Sequence, residues 1–160
     1  YCYLTVDQSP VKLDTTQRNE GVHVDGFQGS RILEKQRINH SIFIYDCLPT
    51  RFFIQSFETK HLNESVDNFF EHFEQQINQK AQDNEQHVYT ADPFEIILSD
   101  AYTVHEGAKA TVQDVKQRTF IRLSYSVKEF DRLGNAHNPA FEYNWEMVPR
   151  DICAALGNKK

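Results

Sequence analysis

A β-rich α+β domain, with its strands packed as two sheets and one helix covering one of them, is the fold this sequence predicts. Three observations predict it. Short runs rich in Ile, Val, Phe, Tyr and Thr recur along the chain, each bounded by Gly, Pro, Asn or Asp. One longer stretch carries the periodicity of an amphipathic helix. No internal repeat or low-complexity tract separates them into further units. At 160 residues the chain fits a single domain, 1–160, large enough to bury a core.

The β-like runs are "YCYLTV" (1–6), "SIFIYDCL" (41–48), "RFFIQSF" (51–57), "FEIILSD" (94–100) and "RTFIRLSYSV" (118–127). The proline in "CLPTR" (47–51) marks a turn between the second and third runs, which reads as a hairpin. The helix is expected over 63–83. Its apolar residues Val66, Phe69, Phe70, Phe73 and Ile77 fall on one face, and Asn63 or Ser65 is positioned to cap its start. The opposite face is Glu, Gln, Asn and Lys, a solvated surface. Residues 9–21, 106–117 and 132–139 read as loops. "EYNWEMVPRD" (142–151), with the only Trp and the only Met, reads as a terminal edge segment packed on the core.

Composition narrows the class. Apolar residues make up 39% and charged residues 25%, the balance of a globular protein. Twelve Phe and seven Tyr predict an aromatic core. A net charge of −6 argues against nonspecific binding to a phosphate backbone. Lys109, Lys116, Arg118 and Arg122 fall close together, however, and could line a local basic groove. Cys2, Cys47 and Cys153 are odd in number, widely spaced and in no CxxC, which reads as free thiols in a reducing, cytoplasmic compartment. There is no signal peptide and no apolar run near 18 residues, so neither export nor a membrane span is expected. The opening residues read as a strand rather than a natural start, so sequence upstream is expected. There is no GxSxG, no cysteine with pKa-lowering neighbours and no phosphate-binding Gly-rich loop. A carboxylate pair for glycoside hydrolysis stays open, because 23 acids are too many to sort.

The chemistry concentrates around "EGVHVDGFQGSR" (20–31). In an extended "GVHVD", His23 and Asp25 project to one face while Val22 and Val24 pack on the other. An imidazole and a carboxylate on one face make half of a first-row metal site. His105, just after "FEIIL", can supply a second imidazole. In "RTFIRLSYSV", Phe120, Arg122 and Ser124 share one face. A guanidinium inside an apolar strand needs a partner, and a carboxylate ligand gripped by a fork would be one.

The order of His23 and Asp25, then His105, then Arg122 and Ser124, resembles the pattern of the iron(II)- and 2-oxoglutarate-dependent oxygenases. His105 and Arg122 lie 17 residues apart, within that family's range, and His23 and His105 lie 82 apart. The helix at 63–83 then reads as an insertion in a core of about 20–127. The resemblance implies a double-stranded β-helix, or jelly roll. It implies Fe(II) held by His23, Asp25 and His105, with 2-oxoglutarate and O2 as cosubstrates. It implies 2-oxoglutarate gripped by Arg122 and Ser124, with Arg118, which shares their parity, as the alternative clamp. The implied activity is hydroxylation or oxidation of a small molecule, an amino-acid side chain or a nucleobase.

Around this set, Phe27 and Arg31 are weak candidates for substrate contact, with a surface role as the plainer reading of Arg31. Gly26 and Gly29 predict a flexible loop at the site mouth, and "TTQR" (15–18) could line it. Asp100 is positioned either to hydrogen-bond a ligand histidine or to form a turn. His40, His61, His72, His87 and His137 lack such company. The aromatic strands and acidic balance equally suit a jelly-roll binding or structural module without metal.

Overall fold

The computed structural model describes residues 1–18, 20–26, 38–63, 66–83, 87–111, 116–127, 129, 133, 136 and 138–147. Phe27, Gly29, Arg31, Ser65, His137 and Cys153 lie outside the described residues. The elements are β1 (Cys2–Val11), β2 (Ile38–Tyr45), β3 (Thr50–Phe53), α1 (Phe69–Gln82), β4 (Val88–Thr90), β5 (Ile97–Asp100), β6 (His105–Gly107) and β7 (Lys116–Ser126). The protein is mainly β, with two antiparallel sheets and one helix among the described residues.

The larger sheet has the order β1-β7-β2-β5 and the smaller β4-β3-β6. An antiparallel bridge from His23 to His105 adds the 22–24 segment beside β6. Every ladder among the described residues is antiparallel, beside an isolated parallel bridge from Leu13 to Ala110. Between β1 and β3 the chain changes sheet at each connection, and it does so again between β4 and β7.

Alternation explains β7. Arg118, Phe120 and Ser124 are buried, while Gln117 and Ile121, of the opposite parity, are exposed. Phe43 and Tyr45 from β2, Phe52 from β3, Ile97 from β5 and Phe120 from β7 meet with Ala91 in one aromatic cluster. The second cluster joins Val22, Val24, Phe53 and Val104 to Phe73 and Ile77 of α1. The helix therefore covers the smaller sheet, as the sequence led one to expect. Burying Phe73 and Ile77 contributes roughly 1.5–3 kcal/mol each.

Several expectations are corrected. β1 runs to Val11 rather than ending at residue 6, and Pro10 is tolerated because β1 is an edge strand. β3 stops at Phe53, and β5 begins only at Ile97, after a turn in which Phe94 has φ +66°. β2 and β3 are not a hairpin: β2 pairs with β5 and β7, and β3 with β4 and β6, so the 47–51 turn carries the chain between sheets. The helix starts six residues after Asn63, and its cap is Asn68, whose side chain accepts from Phe70 N. Val66 precedes it and is 74% exposed. β6 lies partly in the expected 106–117 loop. No basic groove forms from the described side chains: Lys109 pairs with Glu20 at the surface and Arg118 is buried. Of the 142–151 segment, residues 142–147 are described and form no strand, and Trp145 packs edge-on against Tyr1 and Tyr143 at 5.9 and 5.0 Å. No described helix is long and apolar enough to cross a membrane.

Gly26, expected in a mobile loop, is instead a close-packed residue. Its N–H donates to Ala101 O at 2.7 Å, and a Cβ there would stand 2.9 Å from that same oxygen. Gly26→Ala is expected to lower stability by about 1–3 kcal/mol, measured by urea unfolding. An unchanged midpoint would show that the 25–26 backbone yields freely.

Candidate metal centre

Val22 and Val24 are buried in the cluster under α1, and so is Val104. Their neighbours His23, Asp25 and His105 therefore point the other way, into the space between the sheets. His23 and His105 form a hydrogen-bonded pair: His23 N donates to His105 O at 2.9 Å, and His105 N to His23 O at 3.0 Å. This fixes the two imidazoles side by side, with ring centroids 4.5 Å apart. One donor atom from each of His23, Asp25 and His105 lies within 4.8 Å of the others. Donors about 2.1 Å from a shared ion stand about 3 Å apart at right angles, so small side-chain rotations close the site.

The tautomers are set locally. His23 Nδ1 lies 2.8 Å from Gly21 O, and His105 Nδ1 lies 2.8 Å from Thr103 O. A carbonyl only accepts, so each Nδ1 carries its hydrogen and each Nε2 keeps its lone pair for a metal. Asp100 accepts from Tyr102 N at 3.0 Å and from the Thr103 hydroxyl at 2.6 Å. The Thr103 hydroxyl bond is the main reason its carboxyl lies below the usual range. Asp100 is thus the turn former of the two roles considered, and it orders the turn that aims Thr103 O at His105.

Burial pushes the imidazole of His105 below its ordinary value of 6.5, and the neighbouring His23 adds to this. The fold favours the neutral ring. The stability this contributes is complete above the unfolded value and is lost as pH falls from there through the lower folded value. A ring-proton NMR titration of metal-free protein should give His105 a midpoint below 6.5. A midpoint above it would mean that Asp25 outweighs burial.

Arg122 reaches across from β7. Its Nη1 donates to Asp25 Oδ2 at 3.1 Å and Oδ1 at 3.3 Å. Both side chains are about one-fifth exposed, so the pair is partly desolvated. Arg122 Nε is buried with no partner among the described residues. Ser124 is buried on the same face and shares a hydrogen bond with Ser41 at 3.2 Å, and Ser99 lies next in register. Arg118 is also buried. Its Nε donates to Cys47 O and Leu48 O at 2.9 and 3.1 Å, and its Nη1 to Gln17 Oε1 at 2.6 Å. Its guanidinium stands 5.2 Å from the Tyr45 ring centre and 5.1 Å from that of Phe120.

Sequence reasoning brought His23, Asp25, His105 and Arg122 together, and the structure does the same. The sequence marks Arg18 only as part of "TTQR", yet it stands over Phe120 at 5.3 Å. No periodicity marks it, since it belongs to a loop. His61 and His72 face each other at 5.8 Å and His40 stacks on Tyr125 at 4.9 Å, so none of these three joins the centre. Aromatic rings flank it instead: Phe52 lies 5.9 Å from the His105 ring and Phe70 6.2 Å from that of His23. Comparison with family models, curated proteins and solved structures gives no match.

Proposed function

We propose that this chain is a non-haem Fe(II)- and 2-oxoglutarate-dependent oxygenase on a jelly-roll, or double-stranded β-helix, fold. The observation that carries the proposal is the His23–Asp25–His105 group, with both Nδ1 hydrogens engaged by backbone carbonyls. Two imidazoles and one carboxylate are the donor set of a facial triad, which leaves positions open for a cosubstrate and O2. The strand order supports the fold. Counting the 22–24 segment as the second of eight strands, the sheets read 1-8-3-6 and 5-4-7-2, as two interleaved Greek keys require.

The residues fit the group. The orphaned Arg122 Nε offers an N–H to a carboxylate oxygen. Bound Fe(II), with 2-oxoglutarate and O2, supplies oxidative decarboxylation of the diacid coupled to oxidation of a substrate C–H. The chain's own part is positional. Gly21 O and Thr103 O orient the imidazoles, and Arg122 fixes the Asp25 carboxyl group in direction. Phe52 and Phe70 exclude water. Arg122, through its unpartnered Nε, and Ser124 grip the cosubstrate in this reading, and Arg118, already held by Cys47 O, Leu48 O and Gln17, is the alternative clamp. The exposed thiol of Cys2 agrees with a reducing, cytoplasmic setting.

The test is succinate formation with Fe(II) and 2-oxoglutarate. The reading predicts release by the native chain and none by Asp25→Ala. Equal release by both, or none by either, would contradict it. A metal-free module would give the last result.

A further inference from the structure

We infer that the outer face of the larger sheet is the contact between two copies of this chain. The face lies on the side of β7 away from Arg122 and the metal centre, so the inference does not depend on the oxygenase reading.

The register of the sheet lays two aliphatic rows across its strands. Leu4, Leu123, Ile42 and Leu98 stand opposite one another in β1, β7, β2 and β5. One strand repeat away, Val6, Ile121 and Ile44 do the same in β1, β7 and β2. All have the parity opposite to that of the buried Phe43, Ile97 and Phe120, so they stand outside the core. On the two outer strands Leu4 is 65% and Leu98 69% exposed. The helix packs on the smaller sheet, and no described element packs over this face. Aliphatic residues scattered singly on a surface need no explanation, but continuous rows of them mark an interface.

The make-up and size of the face point to the occupant. Polar side chains stand only beyond the rows: Tyr125, His40 and Asp100 at one end, Gln8 and Thr119 at the other. An apolar centre with a polar rim is the anatomy of an association surface. The rows carry no charge and no hydrogen-bonding side chain, so a partner must match them with apolar surface. A second copy turned about a two-fold axis presents the same rows and does so. The two sheets then pack face to face like the layers of a β-sandwich. With strands about 4.8 Å apart and about 3.4 Å per residue, the face covers roughly 500 Å² as a plane. Two copies thus bury about 1,000 Å² before the relief of the side chains is counted, the size a specific contact needs.

Sedimentation equilibrium tests this. The native chain should be a dimer at micromolar concentration, with a thermal midpoint that rises with chain concentration. Leu4→Lys and Leu98→Lys, on opposite edges of the sheet, should each weaken association about a hundredfold or more, because a two-fold contact carries the change twice and buries an unpaired charge each time. Both positions are exposed in the single chain, so circular dichroism should show an unchanged fold. Ile54→Lys, exposed just after β3 of the smaller sheet, is the control and should leave the dimer intact. A native chain that sediments as a monomer overturns the inference, and that is the result expected if a different protein covers the face. A dimer that both face variants leave intact, or that Ile54→Lys breaks equally, overturns it too.

Discussion

His105→Ala is expected to lower divalent-metal affinity by on the order of a hundredfold or more, with little loss of folding stability in the metal-free chain. The reason lies in how the ligand is mounted. His105 is tied to His23 through two backbone hydrogen bonds, which survive truncation of the side chain. The metal loses one of three protein donors and the only one from β6. Even removing a group that merely orients a ligand costs ten- to a hundredfold, and removing a ligand costs at least that. Asp25→Ala should weaken binding as strongly and destabilise as well, because Arg122 is left partly buried without its carboxylate. His61→Ala is the control and should change neither quantity. Competition against a chelating dye measures all three. A His105→Ala chain that binds Mn(II) or Fe(II) as tightly as the native one would remove His105 from the centre.

Phe52→Ala is expected to cost about 3–5 kcal/mol of folding stability. Phe52 is 2% exposed, stacks on Phe43 at 5.6 Å and packs beside the His105 ring. It joins the two sheets at the level of the metal centre, since Phe43 belongs to the larger sheet and Phe52 to the smaller. Truncation opens a cavity that close-packed neighbours cannot fill. Metal affinity should fall less than in His105→Ala, because no donor is lost. Urea denaturation at fixed pH measures the first effect. A loss under about 1 kcal/mol would mean that the site collapses around the missing ring.

The parts of this molecule that could be read from sequence are those where periodicity and chemistry agree. In "VHVD" the valines and the ligands alternate, and the structure buries Val22 and Val24 under α1 while His23 and Asp25 face the gap between the sheets. In β7 the same alternation set Phe120, Arg122 and Ser124 together. What sequence could not show was pairing. A proline turn between two apolar runs looks alike whether the strands join one sheet or two, so the crossing at 47–51 reads as a hairpin. β6 spans three residues, too few for any period to register. Val66 has helical spacing but precedes the helix, because Asn68 supplies the better cap nearer the buried Phe73. Arg18 and Gln17 belong to a loop, and only the fold brings them to Phe120 and Arg118.

Anaerobic titration of the metal-free chain with Fe(II), followed by 2-oxoglutarate, tests the metal and the diacid together. The account predicts one tightly held iron per chain and a visible absorption band that appears on adding the diacid and is absent in Asp25→Ala. Iron that stays substoichiometric, or a spectrum that the diacid leaves unchanged, would contradict it.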